Sequence, residues 1–379
     1  MLLESPIKTV EALVFRYPID IPIATSFGFM RDRPAVFVRV EDADGAVGWG
    51  EAWCNFPQVG AEHRARLIGS LLAPLLAGKR FPSPANAFQL MNAQTAVMTI
   101  QTGETGPIAQ SIAAVDIALW DLAARRAGEP LWRFLGGASP QLKVYGSAIN
   151  PTEPERTVEG AWKAGHRAFK LKVGFGLDRD RANLNAIRQL LGTNIPIAVD
   201  ANQAWDLDHA QTAATALEEF GLAWLEEPLR ADRPWAEWET IAQASAIPLS
   251  AGENLIGVES FDAAIASKTL RIVQPDIAKW GGFSGCIPVA KAIIDAGLSY
   301  YPHYLAGGIG LLASAHLLSA TGGQGLLEVD VNPNALREQY CGPVGDIVDG
   351  YIELGTEPGL GLEPDFGKIS AFRVYSADL

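Results

Sequence analysis

From residue 143 to residue 332 the chain alternates short apolar runs with segments of helical length. The runs are KVYGSAIN, AFKLKVG, IPIAVDAN, LAWLEEP, IPLSAGEN, RIVQPDIA, SYYPHYLAG and GLLEVDVN, separated by stretches such as LDHAQTAATALEEFG and CIPVAKAIIDAG. Repetition of strand and helix makes the strands parallel, because each helix carries the chain back to the same end of the sheet. Eight such units predict a (β/α)8 barrel, though a doubly wound sheet is compatible with the same alternation. Pro, Gly and Asn cluster at the strand-to-helix junctions, so the side chains that end these strands should line an active-site rim.

The flanks read differently. Residues 6–52 hold three strand-like stretches, VEALVFRYPI, AVFVRVED and AVGWGEAW, the last two joined through a turn at Asp44 and Gly45 and so predicted to form an antiparallel hairpin. The polar, glycine-containing stretch from Ile21 to Arg33 is expected to be a loop. Between residues 60 and 127 the period becomes helical, as in SIAAVDIALWDLAARRAG. The predicted class is therefore α/β: an α+β capping domain over residues 1–130, completed by a tail at 350–379 too short to fold alone, and a barrel over 140–335.

Thirty Lys and Arg against 43 Asp and Glu give a formal charge of −13, which argues against nucleic acid and anionic membranes as partners. It does not argue against an anionic small substrate, because a metal ion and local lysines reverse the field inside a pocket. Three cysteines, Cys54, Cys286 and Cys341, form no CxxC pair and suit a reducing cytoplasm. The N-terminal residues lack the basic-then-apolar pattern of an export signal, and no uninterrupted apolar run has the length of a membrane helix.

Asp200, Glu226 and Glu253 end successive apolar runs at intervals of 26 and 27 residues, one carboxylate per βα unit. Three oxygen donors from neighbouring strand ends suit a hard cation such as Mg²⁺. Glu226 and Glu227 are adjacent, so only one of them faces the mouth, and parity does not say which. Lys170 and Lys172 lie two apart and share a side of their strand, expected to be the solvated mouth, where two ammonium groups depress each other's pKa. Asn202 repeats this spacing from Asp200. Asp276 and His303 end the sixth and seventh runs, 27 residues apart. A carboxylate on one imidazole nitrogen would make the other a general acid and base. Glu328 ends the eighth run, either as a neutral donor to an anionic intermediate or as a rim salt bridge. Asp330 and Asn332 follow it without an assignable role.

These parts describe α-proton removal from a carboxylate, with a cation spreading the charge of the enediolate and Lys172 and His303 on opposite faces. Protonation by the second group on the opposite face gives racemisation or epimerisation; protonation of a β-hydroxyl gives dehydration.

In KLK, VDAN, EEP, GEN and QPDIAKWGG the chain resembles the mandelate racemase subgroup of the enolase superfamily, nearly end to end. Use of a Lys or His base with Mg²⁺ is a general property of that superfamily. The resemblance implies Lys172 as base, Lys170 on the substrate carboxylate or tuning its neighbour, and Asp200, Glu226 and Glu253 as Mg²⁺ ligands beside Asn202. It further implies an Asp276–His303 acid/base dyad and Glu328 as hydrogen-bond donor. Asp276 stands where the muconate-lactonizing subgroup carries a lysine, which favours the mandelate racemase side; Lys279 is structural or touches the carboxylates.

In enzymes of this kind, cap loops select the distal part of the substrate. Here these are residues 21–33 and 53–60, with Arg31, Arg33, Trp53, Asn55 and Phe56 as candidate substrate contacts. Dehydration of an acid sugar or related hydroxy acid is the first expectation, and a racemase or epimerase of a 2-hydroxy or 2-amino carboxylate the second. A catalytically silent metabolite-binding barrel is disfavoured because every expected position is filled, and no phosphate-binding glycine loop follows the seventh or eighth run. By resemblance a homo-oligomer acting on a small-molecule carboxylate is expected.

Overall fold

The computed structural model describes residues 3–25 and 28–377. Its first sheet is the cap: β1 (Ile7–Thr25), β2 (Gly28–Asp42) and β3 (Val47–Ala52) run antiparallel. The expected loop from Ile21 to Arg33 is instead the distal half of the β1–β2 hairpin, paired at Ile23↔Met30, Ala24↔Phe29 and Thr25↔Gly28; residues 26 and 27 lie outside the described residues. The register shifts between Pro18 and Ile23, a bulge that accommodates Pro18 and Pro22 without ladder donors. Buried Ile23 and Met30 give this extension an apolar face that its polar neighbours hide from a sequence scan.

The helix Thr105–Ala127 lies on β3, and GWGE explains how. A Cβ on Gly48 or Gly50 would sit 2.1 Å from Ala118 O or Ala114 O, so only glycine lets strand and helix touch. This helix is apolar and long enough to cross a membrane, but 89% of its apolar window is buried as the core of the cap.

The second sheet contains the eight alternating runs: β4 (Gln141–Ile149), β5 (Phe169–Lys172), β6 (Ile197–Asp200), β7 (Leu225–Glu226), β8 (Leu249–Ala251), β9 (Ile272–Val273), β10 (Ser299–Tyr300) and β11 (Leu326–Asp330). Neighbouring strands pair in parallel in the order β10-β9-β8-β7-β6-β5-β4-β11. The two ends of this series meet, since a Cβ on Gly325 would lie 2.0 Å from Tyr300 O. The sheet is thus curled into a (β/α)8 barrel rather than an open doubly wound sheet.

The tail divides its attachments. β12 (Tyr351–Glu353) pairs with β4 of the barrel, while β13 (Arg373–Ala377) joins the cap sheet against β1 and Phe366 stacks on Phe15 and Phe37 of the cap.

Buried charges fasten the cap to the barrel. Glu51 at the end of β3 accepts the amides of Gly307 (2.6 Å) and Gly310 (2.8 Å) at the start of helix Gly308–Thr321, and Asp116 accepts the amide (2.9 Å) and hydroxyl (2.6 Å) of Ser284 near the start of Gly282–Asp295. Carboxylates at helix N-termini satisfy donors that have no partner within the helix. Burial nevertheless pushes Glu51 and Asp116 up to about 7. A carboxyl with a folded-state pKa above its unfolded value gives stability that is complete below about pH 4.5 and declines as pH rises through 7. Glu51→Gln should therefore melt with wild type near pH 4.5 and above it at pH 8, by up to about 3 kcal/mol for a carboxyl moved from 4.5 to about 7. Thermal melts at both pH values test this, and a variant less stable than wild type at pH 8 would show that the two amides outweigh burial.

Candidate active site

Inward positions recur every second residue along barrel strands, so the interior is stacked in layers. Tyr145, Ala168, Ala198, Trp224 and Ile272 make an apolar floor. Two residues further along the same strands come Ser147, Lys170, Asp200, Glu226 and Gln274, with Glu328 on β11. Lys172, Asn202 and Asp276 follow two residues later at the rim.

Lys170 is the centre of the middle layer. It is 1% exposed, and its Nζ lies 2.5 Å from Glu226 Oε1, 2.8 Å from Glu328 Oε1 and 3.8 Å from Asp200 Oδ2. The expectation of a solvated lysine with a depressed pKa fails here: burial pulls the ammonium down, but Glu226, Glu328, Tyr145 and Asp200 together hold it well above its ordinary value. A buried charge persists only when paired, and Lys170 has three carboxylates around it. Glu328 also accepts the amide of Tyr304 (3.0 Å) and the hydroxyl of Ser147. Lys170 and His303 hold it below the usual carboxylate range in spite of burial, so of the two readings open in the sequence this arrangement is the salt bridge.

Lys172 donates to Asp200 Oδ2 at 2.6 Å and to Asn202 Oδ1 at 2.7 Å. Burial and Lys170 lower its pKa, yet Asp200 carries it above the ordinary lysine value. On the far side of the barrel His303 Nδ1 lies 2.7 Å from Asp276 Oδ2, while Nε2 contacts Glu253. Asp276 is itself fixed by the amides of Ala278 (2.8 Å) and Lys279 (3.0 Å). Burial lowers the imidazole pKa, but Glu253, Glu328 and Asp276 raise it well above its usual value.

Glu226 has both oxygens engaged, Oε1 by Lys170 and Oε2 by Gln274 Nε2 (2.7 Å) and Trp224 Nε1 (3.1 Å); burial pushes it up to about 7 against Lys170. Glu253 accepts Asn254 Nδ2 at 2.9 Å, lies 3.5 Å from Lys279, and is held well below its ordinary value by His303 and Lys279 although burial opposes them. Asn202, Gln203 and Glu227 adopt φ of +44°, +63° and +41°, a cluster of strained non-glycine backbone at the ends of β6 and β7. Such strain is held in place at functional sites by the surrounding structure.

Among the described residues, no three Asp, Glu, His or Cys side chains form a ready-made metal cage; the carboxylates lean on Lys170, Lys172, Lys279 and His303 instead. The donor set is nonetheless all oxygen on consecutive strand ends. One buried oxygen, Glu227 Oε2, has no hydrogen-bond partner among the described residues. This chemistry fits a hard divalent cation better than zinc or a thiophilic metal.

The cap residues divide. Trp53 lies under Lys279, whose Nζ is 4.7 Å from the ring centroid, and its amide donates to Ala278 O at 3.2 Å. Asn55 is buried and donates to Leu305 O at 2.6 Å, beside the His303 loop. Arg33 is buried in an ion pair with Asp330 of β11. Asn55 and Arg33 thus spend polar groups on joining cap to barrel. Phe56 is half-buried with its carbonyl on Arg64 (3.2 Å), and Arg31 is exposed. Sequence reasoning missed Trp224, Gln274 and Asn254; the first two stand two residues before Glu226 and Asp276, and the period of two along a strand would have found them.

The model of the family "Mandelate racemase / muconate lactonizing enzyme, N-terminal domain" matches residues 9–136, and that of "Enolase C-terminal domain-like" matches 154–368. A mandelate racemase/muconate lactonizing enzyme structure from Bordetella bronchiseptica RB50 is 55% identical, covering 97% of this chain and 99% of its own, with TM-score 0.92. The 3,6-anhydro-alpha-L-galactonate cycloisomerase of Streptomyces coelicolor is 29% identical over 97% of this chain and 99% of its own. An L-talarate dehydratase structure from Polaromonas sp. JS666, complexed with Mg and L-glucarate, is 26% identical over 99% of each chain, with TM-score 0.82. Curated relatives are enzymes and include dehydratases, cycloisomerases and a racemase. The chain belongs to the mandelate racemase/muconate lactonizing enzyme family of the enolase superfamily.

Proposed function

We propose that this protein removes the α-proton of a small carboxylate with the help of Mg²⁺, passes through an enediolate, and dehydrates an acid sugar or related hydroxy acid to a 2-keto-3-deoxy product. The observation that carries this reading is the opposition of Lys172 on β5 to the Asp276–His303 pair beyond β9 and β10, across the mouth of the barrel.

Asp200, Glu226 and Glu253 would hold the cation, which when bound supplies positive charge to the substrate carboxylate. Binding there would also draw away the carboxylates that now keep Lys172 and His303 protonated. Lys172 Nζ takes the α-proton. His303 Nε2, its ring fixed by Asp276 at Nδ1, gives a proton to the β-hydroxyl, the C–O bond breaks, and water and an enol remain; the enol tautomerises to the keto acid. Lys170, locked by Glu328 and Glu226, sets one fixed ammonium beneath the substrate carboxylate. The dehydratases among the relatives support this outcome; a racemase among them keeps delivery of the His303 proton to the α-carbon as a second reading.

A panel of acid sugars and hydroxy acids, incubated with MgCl₂ in D₂O and followed by proton NMR and a keto-acid assay, tests the proposal. Keto acid is the expected result. Deuterium at the α-carbon without keto acid would replace dehydration by racemisation or epimerisation. Chelation should abolish turnover and Mg²⁺ restore it; turnover that survives exhaustive chelation would overturn the cation assignment.

A further inference from the structure

Glu227 is unaccounted for in that scheme. It is 1% exposed, its backbone is held at φ +41°, and it follows directly on a proposed metal ligand. Its Oε1 accepts Asn254 Nδ2 at 2.8 Å, and the same amide donates to Glu253 Oε1 at 2.9 Å, so one nitrogen clamps the two carboxylates side by side. Its Oε2 is buried and accepts nothing among the described residues. A polar oxygen left unpaired in the interior costs stability.

Regular alternation would turn Glu227 away from the face that Glu226 occupies. The positive φ breaks that alternation, and the side chain swings back to stand beside Glu253. Glu226, by contrast, already has Lys170, Trp224 and Gln274 on its two oxygens. Mg²⁺ sheds its water reluctantly and usually keeps several water ligands, which need acceptors of their own.

We propose, resting on the cation site read above, that Glu227 is a fourth carboxylate of that site: its free Oε2 accepts a hydrogen bond from the water carried by the divalent cation, while Asn254 holds Oε1 in register with Glu253. Glu227 then does not touch the substrate and takes no part in proton transfer. It raises cation affinity at the expense of the metal-free fold.

Calorimetric titration of the purified, metal-stripped protein with MgCl₂ alone, with thermal melts of the same samples, tests this. In Glu227→Gln, Mg²⁺ affinity should fall about 10- to 100-fold, the range expected for a partner of a metal's own ligands. The metal-free variant should melt at or above metal-free wild type, because Oε2 accepts no hydrogen bond whose loss would cost stability. Glu227→Asp keeps the carboxyl group but draws the oxygen back by one methylene, and should weaken Mg²⁺ binding as well. Affinity within twofold of wild type in both variants would overturn the proposal. Wild type that fails to bind Mg²⁺ would instead remove the cation site itself, and this inference with it.

Discussion

Replacing Lys172 with alanine is expected to lower kcat by at least about 10³-fold and to eliminate exchange of the substrate α-proton with solvent, whereas His303→Asn should lose dehydration by a similar factor yet retain that exchange. The difference follows from position. Lys172 stands with Asp200 and Asn202 on β6, His303 with Asp276 across the mouth, and only the lysine is given the α-proton. Proton NMR in D₂O separates the two variants in one experiment. If His303→Asn lost exchange while Lys172→Ala kept it, the roles of base and acid would be reversed.

The second large effect is on stability. Arg33 of the cap and Asp330 of the barrel are each 2% exposed at the side chain, and they face one another across the domain junction, with Arg337 3.4 Å from the same carboxylate oxygen. Removing one member of such a pair leaves the other as an uncompensated buried charge, a loss of about 3–5 kcal/mol. Asp330→Ala should therefore lower the denaturation midpoint sharply, and the double variant Arg33→Met/Asp330→Leu should recover part of it, because apolar groups replace the Arg33–Asp330 charges while Arg337 keeps Glu338 at 3.0 Å. Additive losses in the double variant would show that packing, not charge, sets the cost.

The barrel and the grouping of its rim side chains were legible because they rest on short-range rules. A strand of four to eight residues shows itself by composition, and the carboxylates of β6, β7 and the β8 loop show themselves by the length of one βα unit. Asp276 and His303 were legible for the same reason, being neighbours at corresponding points of adjacent units. What escaped depends on contacts between distant parts of the chain. Arg33 looks like a loop residue until a partner 297 residues away is known. Lys170 looks solvated until three buried carboxylates are placed around it. The direction of Glu227 follows from one backbone angle, which no residue pattern encodes.

The cap sheet has one more consequence, for the order in which the molecule is assembled. Its strands run β13-β1-β2-β3, so β1, which precedes the barrel in the chain, is bordered by β13, which follows it. Until the entire barrel has been synthesised, the outer edge of β1 presents unpaired amides and carbonyls to any passing chain. The cap sheet is thus begun before the barrel is translated and finished only after it, a contact of very long sequence separation and so a slow one. Pulse-labelled hydrogen exchange during refolding should find the amides of Ala12 to Phe15 protected after those of β5 and β6, and chaperone demand should fall on this edge.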